Sequence, residues 1–140
     1  QYLYIRNIKF PSFWEMGNNH IFDVSIGNEN EIAVIPKDKA KNAILYTGDA
    51  FLNDLPLLTD LTQSLGVERM ARIYCLQVPH HGSKHNWQQG LANIFSPCLS
   101  VFSADSQRRN GHPHSEVLKD FATYTPILVN KNKRLSIHSI

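Results

Sequence analysis

Short apolar segments that each end in a polar loop recur along this chain of 140 residues. Residues 43–47, 72–78 and 99–103 have the length and composition of buried strands. Over residues 53–65, leucines recur three and four positions apart, which predicts an amphipathic helix, and Gly66 predicts where that helix ends. Strands that alternate with helices indicate an α/β fold, in which helices cover a sheet.

Weaker patterns predict the remaining elements. Two further helices are expected at residues 87–95 and 115–123, the second with Ser115 as its N-cap. The last part of the chain is expected to form a hairpin of strands 127–130 and 134–140, joined by a short polar turn. Additional strands are predicted at residues 2–8, 22–26 and 31–35.

The composition argues against two classes of protein. The formal net charge is only +2 and no run of four basic residues occurs, so a strongly basic grip on nucleic acid is not expected. The apolar runs are far shorter than the roughly 20 residues needed to cross a bilayer, which predicts no membrane span.

Residues 1–10 lack the apolar core of a signal peptide, so a cytoplasmic location is favoured. The length and the 42% hydrophobic content suit a single unit over residues 1–140.

The two cysteines, Cys75 and Cys98, are widely spaced and lie in apolar, strand-like segments. A disulfide framework or a thiolate metal site needs more numerous or more closely paired cysteines. Both residues are therefore expected to be reduced thiols packed in the core.

Histidine is frequent, with 7 in the chain, and most of these residues follow predicted strands. His80 and His81 come directly after one strand, and Asp49 follows the strand before it. His112 and His114 lie in the loop after the next strand. Because the carboxyl ends of neighbouring parallel strands meet at one edge of a sheet, these side chains are expected to share a site.

Local residue types suggest how the histidines are oriented. Pro79 fixes the backbone before the first histidine pair, and Gly82 permits close backbone approach after it. His112 and His114 alternate along an extended segment, so only one of them is expected to face the site. Asp49, taken alone, is also compatible with an ordinary turn. The other histidines are expected to be surface or structural residues: His20, His85 and His138.

Three motifs follow one another along the chain: Tyr-Thr-Gly-Asp-Ala at residues 46–50, Val-Pro-His-His-Gly-Ser-Lys at 78–84 and Asn-Gly-His-Pro-His-Ser-Glu-Val-Leu at 110–118. Over roughly residues 18–140, the chain resembles the carboxy-terminal half of a metallo-β-lactamase-fold hydrolase. The branch that it resembles most is typified by the ComEC DNA-uptake competence proteins. The resemblance implies an α/β fold that forms half of a four-layer αβ/βα sandwich.

The same resemblance implies a site with two divalent metal ions, expected to be zinc, with manganese or iron as alternatives. Asp49 matches the carboxylate that bridges the metals, and one of His80 and His81 matches the last histidine ligand, His81 being preferred. His80, His112 and His114 are then expected to be catalytic, beside a water that the metals activate. The implied substrate-binding residues are Ser83, Lys84 and Asn110.

One part of the family pattern is missing. The motif His-x-His-x-Asp-His, which brings the other metal ligands, does not occur in these residues. Asp49 and His81 are fewer than the roughly three or four ligands that hold zinc. We therefore expect an amino-terminal half, on a separate chain or a cleaved segment, to complete the site, and we expect this chain to be inactive alone.

The resulting hypothesis is an enzyme of the metallo-β-lactamase superfamily, a metal-dependent phosphodiesterase or nuclease. The resemblance implies nucleic acid as the possible substrate, and Lys84, Arg108 and Arg109, near the expected mouth of the site, add weak support. Two alternatives stay open. One is hydrolysis of a lactam, lactone or other ester at the same metal site, and the other is a noncatalytic docking module that has lost the metal.

Overall fold

A central sheet with three helices dominates the computed structural model, which describes residues 2–5, 8–11, 14–15, 22–26, 41–104, 111–130 and 135–139. The first strands are β1 (Tyr2–Ile5), β2 (Ile8–Pro11), β3 (Trp14–Glu15) and β4 (Phe22–Ile26). After these come β5 (Ala43–Tyr46), α1 (Leu55–Ala71), β6 (Ile73–Gln77), α2 (Leu91–Phe95), β7 (Leu99–Ser103), α3 (Ser115–Asp120), β8 (Pro126–Val129) and β9 (Leu135–Ser139).

The central sheet has five strands in the order β3-β5-β6-β7-β8. The strands from β5 to β8 run parallel to their neighbours, and β3 adds an antiparallel edge. The α/β class predicted from the sequence is therefore confirmed. The described residues do not establish the four-layer αβ/βα arrangement.

The helices pack on one face of this sheet. Ala43 and Leu45 of β5 lie in the same core cluster as Leu61 of α1 and Val117 of α3, whereas Ile44 lies in a second cluster. Alternate residues of a strand point to opposite faces, so the two clusters mark the two faces of the sheet. Aromatic rings from three elements complete the helix-side core: Phe95, Phe102 and Phe121.

The cysteines differ in their burial. Cys75 is 3% exposed in β6, and burial raises the pKa of its thiol to about 12. Such a thiol stays protonated at neutral pH, because the thiolate would lose its hydration. Cys98 is also reduced, and it is partly buried and packed against the second core cluster. The prediction of a buried core thiol is thus confirmed for Cys75 and confirmed in part for Cys98.

Helix α1 extends past the residue that was expected to end it. Asp54 caps the start of the helix, where its carboxylate accepts a hydrogen bond from the Leu57 N–H at 3.2 Å. Gly66 adopts φ +77° and ψ 167°, which interrupts the helix as predicted, but helical backbone resumes and continues to Ala71. The prediction failed because a residue with positive φ can join two helical segments as well as end one.

The other two helices are shorter than predicted. Residues 84–86 form a short 3-10 turn and Trp87 is extended, so α2 begins only at Leu91. Helix α3 ends at Asp120, and its N-cap position is His114, not Ser115. A tertiary contact explains the shift of the N-cap. The His114 N–H donates to the Gly82 carbonyl at 3.1 Å and holds residue 114 in an extended conformation.

The predicted terminal hairpin is wrong. Strand β8 pairs in parallel with β7 in the central sheet, whereas β9 pairs antiparallel with β4 in a separate two-stranded sheet. The strand predicted at residues 22–26 is confirmed as β4, and that at 2–8 is divided into the antiparallel pair β1 and β2. The strand predicted at residues 31–35 lies outside the described residues.

Within the described part of the chain, no helix has the length and apolar character that crossing a bilayer would require.

A single carboxylate connects α3 to α2. Asp120 accepts hydrogen bonds from the Trp87 indole N–H at 2.8 Å, from the Gly90 N–H at 2.7 Å and from the Ala92 N–H at 2.9 Å. Two of these donors are backbone groups at the start of α2, which has no side-chain cap of its own. The contact therefore fixes the helix that follows the His80–Lys84 loop.

Replacing Asp120 by alanine should lower the free energy of unfolding by about 3 kcal/mol, because it leaves the buried Trp87 N–H without its acceptor. Urea denaturation monitored by tryptophan fluorescence measures this change. The control is Glu68→Ala, which removes an exposed acid of α1 and should change the stability by no more than about 0.5 kcal/mol. Equal effects of the two variants would show that the Asp120 contacts do not stabilise the fold.

Candidate functional site

The candidate site lies at the carboxyl ends of β5, β6 and β7. The His80 N–H, which follows β6, donates to the Gly48 carbonyl, which follows β5, at 2.9 Å. The His81 Nδ1 atom bonds the carbonyl of Ser103 at the end of β7. Three consecutive strand ends are thereby joined directly, as the parallel order predicts.

The backbone of the histidine pair has an uncommon conformation. His80 has φ +47° and ψ +49°, His81 has φ +58° and ψ +21°, and Gly82 follows with φ +79°. Left-handed backbone costs about 1–3 kcal/mol at a non-glycine residue, and such strain persists only where the surroundings enforce it. The fixed geometry that was predicted from Pro79 and Gly82 is present, and it occurs in a short 3-10 turn over Pro79–Gly82.

Gly82 allows the third loop to reach the pair. A Cβ atom at this position would lie 2.6 Å from the Pro113 Cβ atom and 2.7 Å from the Phe102 Cδ1 atom. No side chain fits in this space. The close approach brings His112 and His114, on either side of Pro113, against the His80–Gly82 turn.

Five imidazole rings form one cluster, which we call the histidine cluster. The ring of His112 has its centroid 5.7 Å from that of His80, 6.3 Å from that of His81 and 4.8 Å from that of His114. The ring of His85 lies 6.1 Å from that of His114. The ring of His112 contacts those of His80 and His81, whereas that of His114 contacts those of His112 and His85, and His114 is the N-cap residue of α3. That only one of His112 and His114 faces the site stays a prediction.

Three members of the histidine cluster have one ring nitrogen occupied by the fold, and one of them is His81, whose Nδ1 atom bonds the Ser103 carbonyl. The His80 Nδ1 atom lies 2.8 Å from the Asn86 Oδ1 atom. The His114 Nδ1 atom accepts a hydrogen bond from the Lys84 N–H at 3.0 Å. These contacts leave the Nε2 atom of each ring as the nitrogen that a ligand can reach.

The rings influence one another electrostatically. The pKa of His112 is lowered from its ordinary value, mainly by partial burial and next by the positive charge that its neighbour His114 would carry. His80, His81 and His85 act in the same direction. Protonation of His112 is therefore less favourable than that of an ordinary imidazole.

The predicted substrate-binding residues are distributed unevenly. Lys84 is half exposed, and its Nζ atom lies 3.8 Å from the Glu116 Oε1 atom at the border of the histidine cluster. Ser83 is 1% exposed, and its hydroxyl accepts a hydrogen bond from the His85 N–H at 3.2 Å, so it serves the local turn. Whether either residue contacts a substrate stays a prediction. Asn110, Arg108 and Arg109 lie outside the described residues.

The sequence reasoning missed two residues of the site. His85 is on the surface, as expected, but its ring joins the histidine cluster through His114. Asn86 was not considered, although its fully buried side chain connects the β5 loop to His80. Its position six residues after a histidine gave no periodic signal. His20 and the side chain of His138 lie outside the described residues.

The residues present do not fit the expected pair of divalent metal ions. Across residues 41–104 and 111–130 and the described strands, no group of three or more His, Cys, Asp or Glu side chains is arranged to hold a metal ion. Asp49 is exposed in a turn, and His81 is bonded through Nδ1 to Ser103. Asp49 was predicted to bridge the metals and His81 to be a metal ligand. In the described residues no third ligand lies beside them. An amino-terminal half that completes the site stays a prediction.

Comparison with known proteins gives one distant relationship. The chain is 26% identical over 107 residues to Recombination protein 2 of Haemophilus influenzae, and the match covers 76% of this chain. It spans only 13% of the length of that relative. No family model matches the chain, and no solved structure matches it.

These findings correct the family and the function expected from the motifs. No family model supports a metallo-β-lactamase fold or its ComEC-like branch, and the relative carries the name of a recombination protein. The described residues also lack a group that could hold a metal ion. The prediction of a metal-dependent hydrolase, whether a phosphodiesterase, a nuclease or a lactam or ester hydrolase, is therefore corrected. No finding tests whether the chain is an enzyme of another kind.

Gly82→Ala should destabilise the protein far more than Gly48→Ala. Both glycines have positive φ, but a Cβ atom at Gly48 meets no atom within 4 Å, whereas one at Gly82 meets Pro113 and Phe102. We expect a loss of about 1 kcal/mol for Gly48→Ala from the backbone alone, and at least about 2 kcal/mol more for Gly82→Ala. Chemical denaturation measures both losses. Similar losses would contradict the close approach of the third loop.

Acidification should destabilise the protein partly through His112. Because folding lowers the pKa of His112, the unfolded chain binds a proton just below the ordinary value of 6.5 while the folded chain does not. The free energy of unfolding is therefore unaffected by this group above pH 6.5 and falls as the pH drops below it. Denaturation curves at successive pH values should show a smaller fall in His112→Asn. An unchanged pH dependence in that variant would contradict the shift.

Proposed function

We propose that this chain is part of a protein of nucleic-acid recombination and that the histidine cluster, together with Lys84, binds a phosphate of the nucleic-acid backbone. The name of the distant relative attributes recombination to that protein, and recombination acts on nucleic acid. The similarity to that protein supports a role in recombination. The chemistry of the histidine cluster supports binding of a phosphate.

The observation that carries the proposal is the convergence of five imidazole rings at a single sheet edge, with the backbone of Lys84 bonded to one of them. Imidazole nitrogens donate hydrogen bonds to phosphate oxygens, and they do so with added charge once protonated. Lys84 is next to this group because its own N–H is bonded to His114. A phosphate at this edge would therefore meet several donors at once.

An anion also relieves the main electrostatic cost of the cluster. Partial burial and the rings of His80, His81 and His114, whose centroids lie 4.8–6.3 Å from that of His112, lower the pKa of His112. A phosphate oxygen supplies the negative charge that makes protonation favourable again. Among the acids that the structure describes at this edge, Asp49 is exposed in a turn and the Glu116 Oε1 atom lies 3.8 Å from the Lys84 Nζ atom. The local environment thus favours an anionic ligand over a cationic one.

The small net charge of +2 is consistent with a contact of this size. A cluster that binds one or two phosphates gives weak affinity that depends on salt, and it does not need a wholly basic surface. Backbone contacts of this kind position a protein on nucleic acid without reading its sequence. We therefore propose binding without sequence preference.

Lys84→Gln should weaken the binding of a labelled single-stranded oligonucleotide, measured by fluorescence anisotropy at several salt concentrations. Loss of one phosphate contact should lower the slope of log affinity against log salt concentration by about 0.7–1. The matched control is Arg69→Gln, which removes one positive charge near the end of α1, at the amino edge of the strands and far from the cluster. This control should leave the slope unchanged.

Two results would overturn the proposal. One is the absence of binding by the unaltered protein at low salt, which would favour a docking or purely structural role for the cluster. The other is an equal change in slope for Lys84→Gln and Arg69→Gln, since that would indicate attraction to net charge rather than a phosphate contact at this site.

A further inference from the structure

Asn86 lies at the centre of the candidate site although it reaches no solvent. Its side chain is 0% exposed between the loop after β5 and the turn after β6. Its backbone is held at both ends, because its N–H donates to the Ser83 carbonyl at 3.1 Å and its carbonyl accepts from the Leu52 N–H at 3.1 Å. A buried carboxamide with a fixed backbone has little freedom to reorient.

The contacts of the carboxamide determine which end faces His80. Its Nδ2 group donates to the Asp49 carbonyl at 3.0 Å and to the Ala50 carbonyl at 3.3 Å. Backbone carbonyls only accept hydrogen bonds, so the amino group must point toward them. The Oδ1 atom therefore faces the His80 Nδ1 atom at 2.8 Å.

An amide oxygen also only accepts, so the proton of this hydrogen bond must reside on the His80 Nδ1 atom. We propose that Asn86 is a positioning residue that holds His80 in the Nδ1–H tautomer and thereby leaves a lone pair on Nε2. Neither the motifs nor the comparisons assign a role to Asn86.

The histidine cluster then contains two opposite tautomers. The His114 Nδ1 atom accepts the Lys84 N–H at 3.0 Å, so the neutral ring of His114 carries its proton on Nε2. When both rings are neutral, the cluster presents an N–H donor at His114 Nε2 and a lone pair at His80 Nε2. A phosphate oxygen can accept from the first and can bind the second once His80 takes up a proton.

This consequence rests on the proposed function, whereas the tautomer does not. The tautomer is measured without nucleic acid, from long-range nitrogen–proton correlation spectra of protein labelled with nitrogen-15 in histidine. The spectrum of His80→Gln identifies the signals of His80. The unaltered protein at pH 8 should show a pyrrole-like Nδ1 and a pyridine-like Nε2 for His80, and a proton on Nε2 instead would overturn the proposal.

Variants then test whether Asn86 is responsible. Asn86→Ala removes the acceptor and should move the proton of His80 to Nε2, whereas Asn86→Asp retains an acceptor and should keep it on Nδ1. The control Asn53→Ala removes another asparagine of these loops, one that donates to the His85 carbonyl at 3.0 Å, and should leave the tautomer unchanged. An Nδ1–H tautomer that persists in folded Asn86→Ala would overturn the role of Asn86.

Where Asn86→Ala yields too little folded protein for a spectrum, the unaltered protein supplies the test. Its His80 Hδ1 proton should be directly observable and slow to exchange, because the hydrogen bond to Asn86 is buried. Rapid exchange of that proton would overturn the proposal.

Oligonucleotide affinity separates this inference from the proposed function. If Asn86 acts through His80, folded Asn86→Ala should change the affinity only while His80 is present, so that adding it to His80→Ala should cause no further change. Additive losses would overturn the positioning role. If the unaltered protein binds no oligonucleotide, the proposed function fails while the spectra still decide the tautomer.

Discussion

The close approach of the His112–His114 segment to Gly82 is the contact on which the whole candidate site depends. Without a side chain at Gly82, Pro113 and the ring of Phe102 fill the space beside the turn, and the Gly82 carbonyl accepts the His114 N–H. That hydrogen bond determines where α3 begins and brings two imidazoles to the other three. The left-handed backbone of His80 and His81 is maintained by the same crowded surroundings.

The local periodicity of the sequence was enough to predict the scaffold of the site. Residues 43–47 and 99–103 are short apolar runs of the length typical of buried strands. Both form strands of a parallel sheet. Because parallel strands end at one edge, the positions of Asp49, His80 and the His112–His114 segment after successive strands predicted that these loops would meet. Pro79 and Gly82 further predicted a constrained turn, since each limits or extends the backbone conformations that are allowed.

Features that depend on distant partners could not be predicted in this way. Asn86 and His85 owe their places to contacts with the β5 loop and with His114, and nothing in their own spacing signals those contacts. Strand β9 has the composition of a hairpin partner for β8, but it pairs elsewhere because β4 offers an edge. The motifs likewise predicted where loops converge. The metal site expected from the same motifs needs ligands from several segments at once, and the described residues do not bring three of them together.

The pairing of β4 with β9 has a consequence for the order in which the chain folds. Phe22 pairs with Ser139, so this small sheet closes over almost the entire chain length, whereas the contacts from β5 to β8 connect successive segments. Contacts between distant segments have a larger entropic cost of loop closure, so they form later than local contacts. During synthesis on the ribosome, the parallel sheet and its histidine loops can therefore assemble before β9 emerges, while β4 is still unpaired.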